Sequence, residues 1–420
     1  MMAYMWAATA QAAVEAKIGQ AANGSLTLVS PTGQVLVNGQ DLLAMVGALT
    51  AEVRELRLKL AARPTIRTLD SGIATQYSSL ALTPAGHAAV AYFDYTNKFL
   101  KLALCGDAMC SSRQVQVVDR DSNVGKSPSM VMSSRGVPVI SYSGSTGQPK
   151  LAVCNDTLCS VRTITDIDGA TVNQAGVTTT SLALTAADWP VIAYNAAVDG
   201  VYSTKLAVCS DPTCSQNVVV RTIDSNSNVD SYPSLALTSE GHPRVSFSPR
   251  PDSVRSVKLF VCHNADCSGR GSTDTITVYN DTDAGWFNSL ALTRAGHPVI
   301  SFYGGEGKVL WLAVCNDFMC TARTIRTVDV GDVGKYDSLA LTAADVPVIS
   351  YRDDERLDLK LAVCDDPTCA TATIRVLDST GSVGHFISLA LTAAGVPVVS
   401  YREASSLRLV ICGDPSCTNT

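Results

Sequence analysis

A cysteine pair recurs along this chain at a nearly fixed period. C-x4-C occurs seven times: Cys105 with Cys110, Cys154 with Cys159, Cys209 with Cys214, Cys262 with Cys267, Cys315 with Cys320, Cys364 with Cys369, and Cys412 with Cys417. These account for all fourteen cysteines of the 420 residues. Successive first cysteines lie 49, 55, 53, 53, 49 and 48 residues apart. A period of this size means that one supersecondary unit is repeated, each copy burying its apolar face against the next. Length alone suggests two or three domains; the repeat replaces that with one domain of seven units.

Each unit carries the same four runs. A segment of the S-L-A-L-T type begins at Ser79, Ser129 (as S-M-V-M-S), Ser181, Ser234, Ser289, Ser338 and Ser388. A turn such as A-A-G-x-P leads into a run like P-V-I-S-Y, which ends on an aromatic in every copy: Tyr92, Tyr142, Tyr194, Phe247, Phe302, Tyr351 and Tyr401. A variable linker precedes L-K-L-A-V-C, the D-P-T-C loop and a last run like T-I-R-T-V-D. The runs are short, rich in Val, Ile, Leu, Thr and Tyr, and punctuated by Gly, Pro, Asp and Asn, which is strand patterning with turns. Four strands per unit, seven times over, predict an all-β fold, a seven-bladed β-propeller over residues 64–420. The last unit lacks a fourth run, and an isolated T-I-R-T-L-D (Thr65 to Asp70) precedes the first S-L-A-L. The expectation is a 3+1 strand arrangement in which Thr65–Asp70 completes the seventh blade and removes the open edges.

Over roughly residues 65–420 the chain resembles seven-bladed β-propeller proteins built of S-L-A-L…G-x-P-V-I-S-Y…L-K-L-A-V-C-x-D-P-x-C repeats, mostly of unassigned function. The W-D pattern of WD40 blades, the double glycine of kelch and the S-x-D-x-G-x-T-W box of sialidases are missing. The resemblance implies a fold and carries over no catalytic residue.

With S-L-A-L innermost, the A-A-G-x-P turns and cysteine loops fall on one face. The linkers 93–99, 195–204, 248–257 and 352–358 fall on the other, with the D-S-x-x-x-V-G-x-Y-x-S crossovers. Variable loops on a rigid scaffold are where binding is built, so a protein or glycan partner is expected on this crossover face.

Flanking a four-residue loop, the cysteines of a pair face each other across a hairpin, where Cα separations of about 4.5–5.5 Å suit a disulfide. Zinc is the weaker reading, because a structural site wants four ligands and each hairpin offers two thiolates with no histidine at a fixed offset. Free thiols are the remaining one. Disulfides imply an oxidising compartment, hence an extracellular or surface location. Sequons at Asn23, Asn155 and Asn280 suit secretion. Met1 to Ala13 has a short apolar stretch and an A-x-A-like end but no basic n-region. No apolar run approaches the ~18–20 residues of a membrane span, and a net charge of −6 argues against a nucleic-acid partner.

Residues 1–63 stand outside the repeat. Ser25–Ser30 and Gln34–Val37 read as a hairpin around Pro31-Thr32-Gly33, and Asp41 as the N-cap of a helix over 41–62. There Leu42, Val46, Leu49, Val53, Leu56 and Leu60 are spaced 4, 3, 4, 3, 4. Val46, Val53 and Leu60 take the a positions of a coiled coil, and Leu42, Leu49 and Leu56 the d positions, a pattern that leans towards a parallel dimer. Glu52 and Arg57 are placed to pair between chains. The expected partner is therefore another copy of this chain; the alternative is one amphipathic helix packed on the propeller.

Candidate chemistry is sparse. His87, His242 and His297 share one turn position, which reads as structural, while His263 and His385 have no recognisable partner. Asp70, Asp119, Asp168, Asp224, Asp329 and Asp378, with Asn280, end the fourth runs in register. They offer oxygen ligands for calcium, against the simpler reading that each caps its own turn. Tyr77, Tyr232, Phe287, Tyr336 and Phe386 precede the inner strand by two residues, with Trp286 adjacent; they suit either stacking on sugar rings or wedging between blades. Arg352, Asp353, Asp354, Glu355, Arg356 and Asp358 read as a solvated loop rather than the carboxylate pair of a glycosidase.

No P-loop, H-E-x-x-H or Ser/His/Asp arrangement is present. The chain therefore reads as a non-enzymatic extracellular or surface protein, a disulfide-pinned propeller head on an oligomerising stalk, acting in adhesion or a surface assembly. No cofactor is expected, calcium being the one alternative. A carbohydrate-binding lectin is the second reading and a glycoside-acting enzyme the third.

Overall fold

The computed structural model describes residues 64–418 apart from 73–74, 169–178, 199–200, 226–231, 250–254, 270, 281–283 and 306, and, before residue 64, residues 17–20, 26–29, 36–37, 40–41 and 45–53. The chain divides into two compact units, Met1–Ala62 with Thr420, and Arg63–Asn419.

The second unit consists of seven four-stranded antiparallel sheets, the blades of a β-propeller. Their first strands are Thr75–Leu82, Lys126–Met132, Thr180–Leu184, Ser234–Leu237, Ala284–Leu292, Val333–Leu341 and His385–Leu391, which define blades 1 to 7. Second strands such as Pro138–Ser143 and Pro347–Asp353 are buried from end to end, because blades cover both of their faces. Fourth strands such as Arg113–Asp119 are largely exposed at their outer ends. In blade 7 the fourth strand is Thr65–Asp70, pairing Ile66 with Val410 and Arg67 with Leu409.

The core is divided among the blade junctions. Leu80, Val90 and Tyr92 of blade 1 pack against Leu69, Val398, Leu407 and Leu409 of blade 7, all at most 6 % exposed, and six further clusters fill the other junctions. Each fully buried Leu or Val there contributes roughly 1.5–3 kcal/mol. Polar bonds set the register between blades. The serine that opens S-L-A-L accepts the backbone amide of the next blade's inner strand: Met130 on Ser79, Leu182 on Ser129, Leu235 on Ser181, Leu290 on Ser234, Leu339 on Ser289, Leu389 on Ser338 and Leu80 on Ser388, at 2.9–3.1 Å. An inner strand is a sheet edge whose outward amides lack a ladder partner; the hydroxyls supply one.

The register acids are engaged in a second set of stitches. Tyr92, Tyr142, Tyr194, Tyr351 and Tyr401 donate their hydroxyls to Asp70, Asp119, Asp168, Asp329 and Asp378 at 2.5–2.8 Å. A cation from the third strand joins each: Lys101, Lys150, Lys205, Lys360 and Arg408. These carboxylates therefore tie neighbouring blades together, beyond the turn-capping role expected of them.

All seven cysteine pairs form disulfides, with Cα separations of 4.7–5.1 Å. Cys105 bonds Cys110, Cys154 bonds Cys159, Cys209 bonds Cys214, and Cys262 bonds Cys267. In the last three blades Cys315 bonds Cys320, Cys364 bonds Cys369, and Cys412 bonds Cys417. One detail differs from a plain hairpin of facing strand positions. The first cysteine ends the third strand or directly follows it, but the second lies in the loop with a left-handed backbone: Cys110 (φ 48°), Cys159 (55°), Cys214 (54°), Cys267 (52°), Cys320 (56°), Cys369 (50°) and Cys417 (48°). The loop is a tight turn, in which the amide of Cys110 returns to the Asp107 carbonyl and that of Cys159 to the Asp156 carbonyl, both at 3.0 Å. The aspartate side chain two residues after the first cysteine holds it: Asp107 accepts the amides of Met109, Ser111 and Ser112, and Asp317 those of Met319, Thr321 and Ala322.

In the first unit the pairing differs from expectation. Leu26–Val29 is a strand, but its partner is Lys17–Gln20, and Leu36–Val37 pairs with Gln40–Asp41. Asp41 thus lies in a strand and is not a helix cap. Residues 45–53 are helical and exposed. Val46, Leu49 and Val53 lie on this helix at 52 %, 61 % and 41 % exposure; Leu42, Leu56, Leu60, Arg57, Asn23 and Met1 to Ala13 lie outside the described residues. Among the described residues no helix is long and apolar enough to cross a membrane.

Candidate functional site

Just before its serine the inner strand bulges. The pairing register slips between Gln76 and Ser78, Lys126 and Ser129, Trp286 and Ser289, Lys335 and Ser338, and His385 and Ser388. The residue two before the serine takes a left-handed backbone although it is not glycine: Tyr77 (φ 52°), Ser127 (46°), Tyr232 (39°), Phe287 (51°), Tyr336 (56°) and Phe386 (53°). Such a conformation costs on the order of 1–3 kcal/mol and persists only where the surroundings enforce it. A bulge also re-aims its side chain, and here it brings the rings together.

Ring centroids lie 5.0 Å apart for Tyr232 and Phe287, 4.4 Å for Phe287 and Tyr336, 5.1 Å for Tyr336 and Phe386, and 4.4 Å for Phe386 and Tyr77. The five half-buried rings form an unbroken arc over blades 4, 5, 6, 7 and 1. In blades 2 and 3 the position holds Ser127 and Thr179. Trp286 extends the arc, 6.4 Å from Phe287 and 3.7 Å from the Arg255 guanidinium. The rings do touch across blade junctions, as wedges would, yet each stays partly open to solvent.

A charged cluster adjoins the arc. Arg352 is 2 % exposed. It donates to Asp354 at 2.6 Å, Ser382 at 3.2 Å, the Val383 carbonyl, and Nδ1 of His385 at 3.1 Å. A guanidinium only donates, so Nδ1 of His385 is the acceptor and Nε2 carries the proton. Burial, with the charges of Arg352 and Arg402 behind it, lowers the His385 pKa to about 4. The ring lies 5.6 Å from that of Tyr336, whose hydroxyl is pushed up by burial. Lys335 binds Asp354 and lies 3.4 Å from Asp332. Asp332 also accepts from the Tyr303 hydroxyl at 2.7 Å and from Lys308 at 2.9 Å. Burial pushes the Asp354 carboxyl up, but Arg352 and Lys335 outweigh it and hold it below the usual carboxylate range.

Of the stretch 352–358, expected as a solvated loop, only the tip at Glu355, Arg356 and Leu357 is exposed. Asp353 and Asp358 pair in register at the hairpin end and are 3 % and 9 % exposed. The strands run further than the sequence suggests because Gly384 of the next crossover packs on them; a Cβ there would lie 3.3 Å from Leu359 Cα. Asp353 accepts the Glu355 and Arg356 amides and pairs with Lys360 at 2.7 Å. Burial and the charge of Asp353 push Asp358 up.

The other sequence candidates lie elsewhere. At His87, His242 and His297 the backbone closes the turn, its amide donating to Thr83, Thr238 and Thr293. His263 pairs with Asp274 at 2.7 Å beside a cysteine loop. Asn155 and Asn280 are exposed. Asn280 borders a groove of about 640 Å³ between outer strands, lined by Tyr279, Asn316 and Arg323 but by no carboxylate. Sequence reasoning missed Lys335, Asp332 and the contact of Arg352 with His385. The recurring V-G crossovers mark Lys335 and Asp332 by position, but the Arg352–His385 contact spans 33 residues and leaves no local signal.

Comparison by sequence finds no matching family and no curated relative. By structure, the chain is similar to a Dyadobacter fermentans protein of unknown function (TM-score 0.52, 12 % identity, covering 83 % of this chain and 97 % of that one). It is also similar to an ulvan lyase of polysaccharide lyase family 25 bound to -[GlcA(1-4)Rha3S]- (0.52, 13 %, 84 % and 96 %), and to a puromycin hydrolase (0.53, 10 %, 82 % and 51 %). At these identities the likeness establishes the seven-bladed fold. It also corrects the expectation of a non-enzymatic protein. That expectation rested on missing catalytic boxes, yet a solved chain of this fold is a polysaccharide lyase, and propellers carry their chemistry on loops rather than in the repeat.

Proposed function

We propose that this chain is a carbohydrate-acting enzyme, with the sugar chain lying along the arc of Tyr232, Phe287, Tyr336, Phe386 and Tyr77 and the reacting bond beside Tyr336 and His385. The arc is the observation that carries this reading. The C–H faces of pyranose rings stack on aromatic faces, whose quadrupole attracts the C–H edge, and five accessible rings in series match a polymer better than a small metabolite. Glycosidic cleavage needs a proton for the leaving oxygen and a negative group near the developing cation. The Tyr336 phenol and His385 Nε2–H are neutral donors at pH 7, and Asp354 is an ionised carboxylate in the same cluster. The fold shared with a polysaccharide lyase supports a carbohydrate substrate and transfers no residue.

Incubating the full chain with a panel of polysaccharides, and reading both reducing ends and the ultraviolet absorbance of unsaturated products, tests this and separates hydrolysis from elimination. Cleavage that is lost in Tyr336→Ala and His385→Asn is expected. A folded protein that releases nothing from any of them overturns the reading.

Location and assembly extend the same proposal. Seven disulfides support work outside the reducing cytosol. The exposed apolar positions Val46, Leu49 and Val53, in heptad spacing, support self-association through residues 45–53. Light scattering of Leu49→Glu against the unaltered chain, with a fall in mass expected, tests the second point.

A further inference from the structure

Two crossovers of this propeller have the same construction and opposite charge bookkeeping. Between blades 5 and 6, the Val333 amide donates to the Lys308 carbonyl at 3.0 Å, Gly334 follows at φ 108°, and Lys335 comes next. Between blades 1 and 2, the Val124 amide donates to the Lys98 carbonyl at 3.2 Å, Gly125 follows at φ 99°, and Lys126 comes next. Each glycine packs on an equivalent leucine: a Cβ would lie 3.1 Å from Leu310 Cα in one and 2.6 Å from Leu100 Cα in the other. The lysines are matched too, Lys335 lying 5.3 Å over the Tyr303 ring and Lys126 6.0 Å over Phe93.

The difference lies between the lysines. Asp332, left-handed at φ 48°, bonds Lys308 at 2.9 Å and Lys335 at 3.4 Å. Its counterpart is Asn123, left-handed at φ 61°. Phe93 replaces Tyr303, whose hydroxyl donates to Asp332, and Ser145 stands where Asp354 supplies Lys335 with a second carboxylate. Lys98 and Lys126 form no ion pair among the described residues. Lys98 instead lies 3.3 Å over the Tyr95 ring, which leaves its charge uncancelled. Burial and the Lys98 charge hold Lys126 below its ordinary value. The next residue, Ser127, is 8 % exposed, and its hydroxyl has no hydrogen-bond partner among the described residues. Ser127 occupies in blade 2 the bulge position that holds the rings of the arc.

We propose that Lys98 and Lys126 bind an oxyanion substituent of a glycan, a sulfate ester or a uronate carboxylate, which takes the place that the Asp332 carboxylate fills between Lys308 and Lys335. This rests on the carbohydrate reading and narrows it to acidic polysaccharides. The Val124–Lys98 backbone bond sets Lys98 beside the residues that lead into Lys126, and two ammonium groups so placed can hold an oxyanion through charge-assisted hydrogen bonds. The arc ends on Tyr77 in blade 1, so the anion site continues it into blade 2.

The repeat supplies its own test. Asn123→Asp restores the internal carboxylate at a backbone angle that Asp332 already tolerates, and is expected to fold normally. Calorimetric titration of the full chain would use inorganic sulfate and sulfated, uronate-containing and neutral oligosaccharides, with Asn123→Asp and Lys126→Gln as variants. Both variants should weaken the acidic oligosaccharides by about tenfold or more and leave the neutral one unchanged; preference between sulfated and uronate chains identifies the substituent. Unchanged affinity for acidic oligosaccharides in both variants overturns the site. If no oligosaccharide binds the unaltered chain, the carbohydrate reading fails. The site then stands if sulfate binds and Asn123→Asp abolishes it, and falls if sulfate does not bind.

Discussion

The amide of Leu80 donates to Ser388 Oγ across 2.9 Å, joining residues 308 apart in the chain. It is one of the seven equivalent bonds between inner strands, and the one between blades 7 and 1. Ser388→Ala removes the acceptor and leaves an edge amide unpaired, at an expected cost of about 1–2 kcal/mol. Ser234→Ala, which frees the Leu290 amide between blades 4 and 5, should cost the same. Urea midpoints compare them; a harmless Ser388→Ala beside a destabilising Ser234→Ala would mean that the junction of blades 7 and 1 is not made in solution.

Asp337 offers a sharper test. Its carboxyl is 8 % exposed, accepts from the Ser301 hydroxyl, and is pushed well above the usual carboxylate range by burial. At the same place in blade 5, Asn288 accepts from Ser246 at 2.5 Å and donates to the Tyr232 carbonyl at 2.9 Å. A protonated Asp337 has the same pair of capabilities. Because its folded pKa lies above its unfolded one, its contribution is full below about pH 4 and is lost as pH rises towards the folded value. Asp337→Asn should therefore be more stable than the unaltered chain at pH 7, with the gap closing near pH 4, as read by thermal melts across pH.

The tyrosine stitches titrate in the opposite sense. Burial pushes Asp119 up, but the Asp121 amide, the Tyr142 hydroxyl and Lys150 outweigh it and hold it below the usual range; Asp378 behaves likewise with Thr380, Tyr401 and Arg408. Stability from these depressed carboxyls is present above about pH 4 and is lost as pH falls through their folded values. Tyr142→Phe should cost only about 1 kcal/mol, since phenylalanine already stands at the Phe247 and Phe302 positions. Lys150→Met, which strands a buried carboxylate, should cost about 3–5 kcal/mol. Denaturant titration of both variants at pH 7 checks the order.

How much of this was legible follows from how far apart the interacting groups sit. Strands, blades and disulfides were readable because each is local: Cys105 and Cys110 are five residues apart, and S-L-A-L repeats in register. The left-handed turn at the second cysteine was not, because nothing but the backbone of the closed loop records it. The positions of Tyr77, Tyr232, Phe287, Tyr336 and Phe386 were readable from their common offset, but their contact was not, because it depends on a bulge that turns each ring out of its sheet. The Arg352–His385 bond spans 33 residues and exists only because Gly384 lets a crossover lie against the hairpin before it. The expectation of no enzyme failed for a different reason: it treated missing sequence boxes as missing chemistry.

His385 provides the last test, and it bears on the candidate site itself. Its pKa is lowered to about 4, first by burial and then by Arg352 and Arg402, against about 6.5 for a free histidine. The unfolded chain therefore binds the proton more readily between these values, so this residue withdraws stability as pH falls from about 6.5 towards 4. Across pH 5 to 8 the ring should stay neutral, with Nε2–H as a fixed donor and Nδ1 occupied by Arg352. Ring signals in NMR should show no titration in that range, and cleavage of a polysaccharide should show no inflection near pH 6.5. Arg352→Gln removes the adjacent charge, so the midpoint should move upward. A His385 that titrates near 6.5 in the unaltered chain would show that the Arg352 bond is not made, and would release Nδ1 as a base.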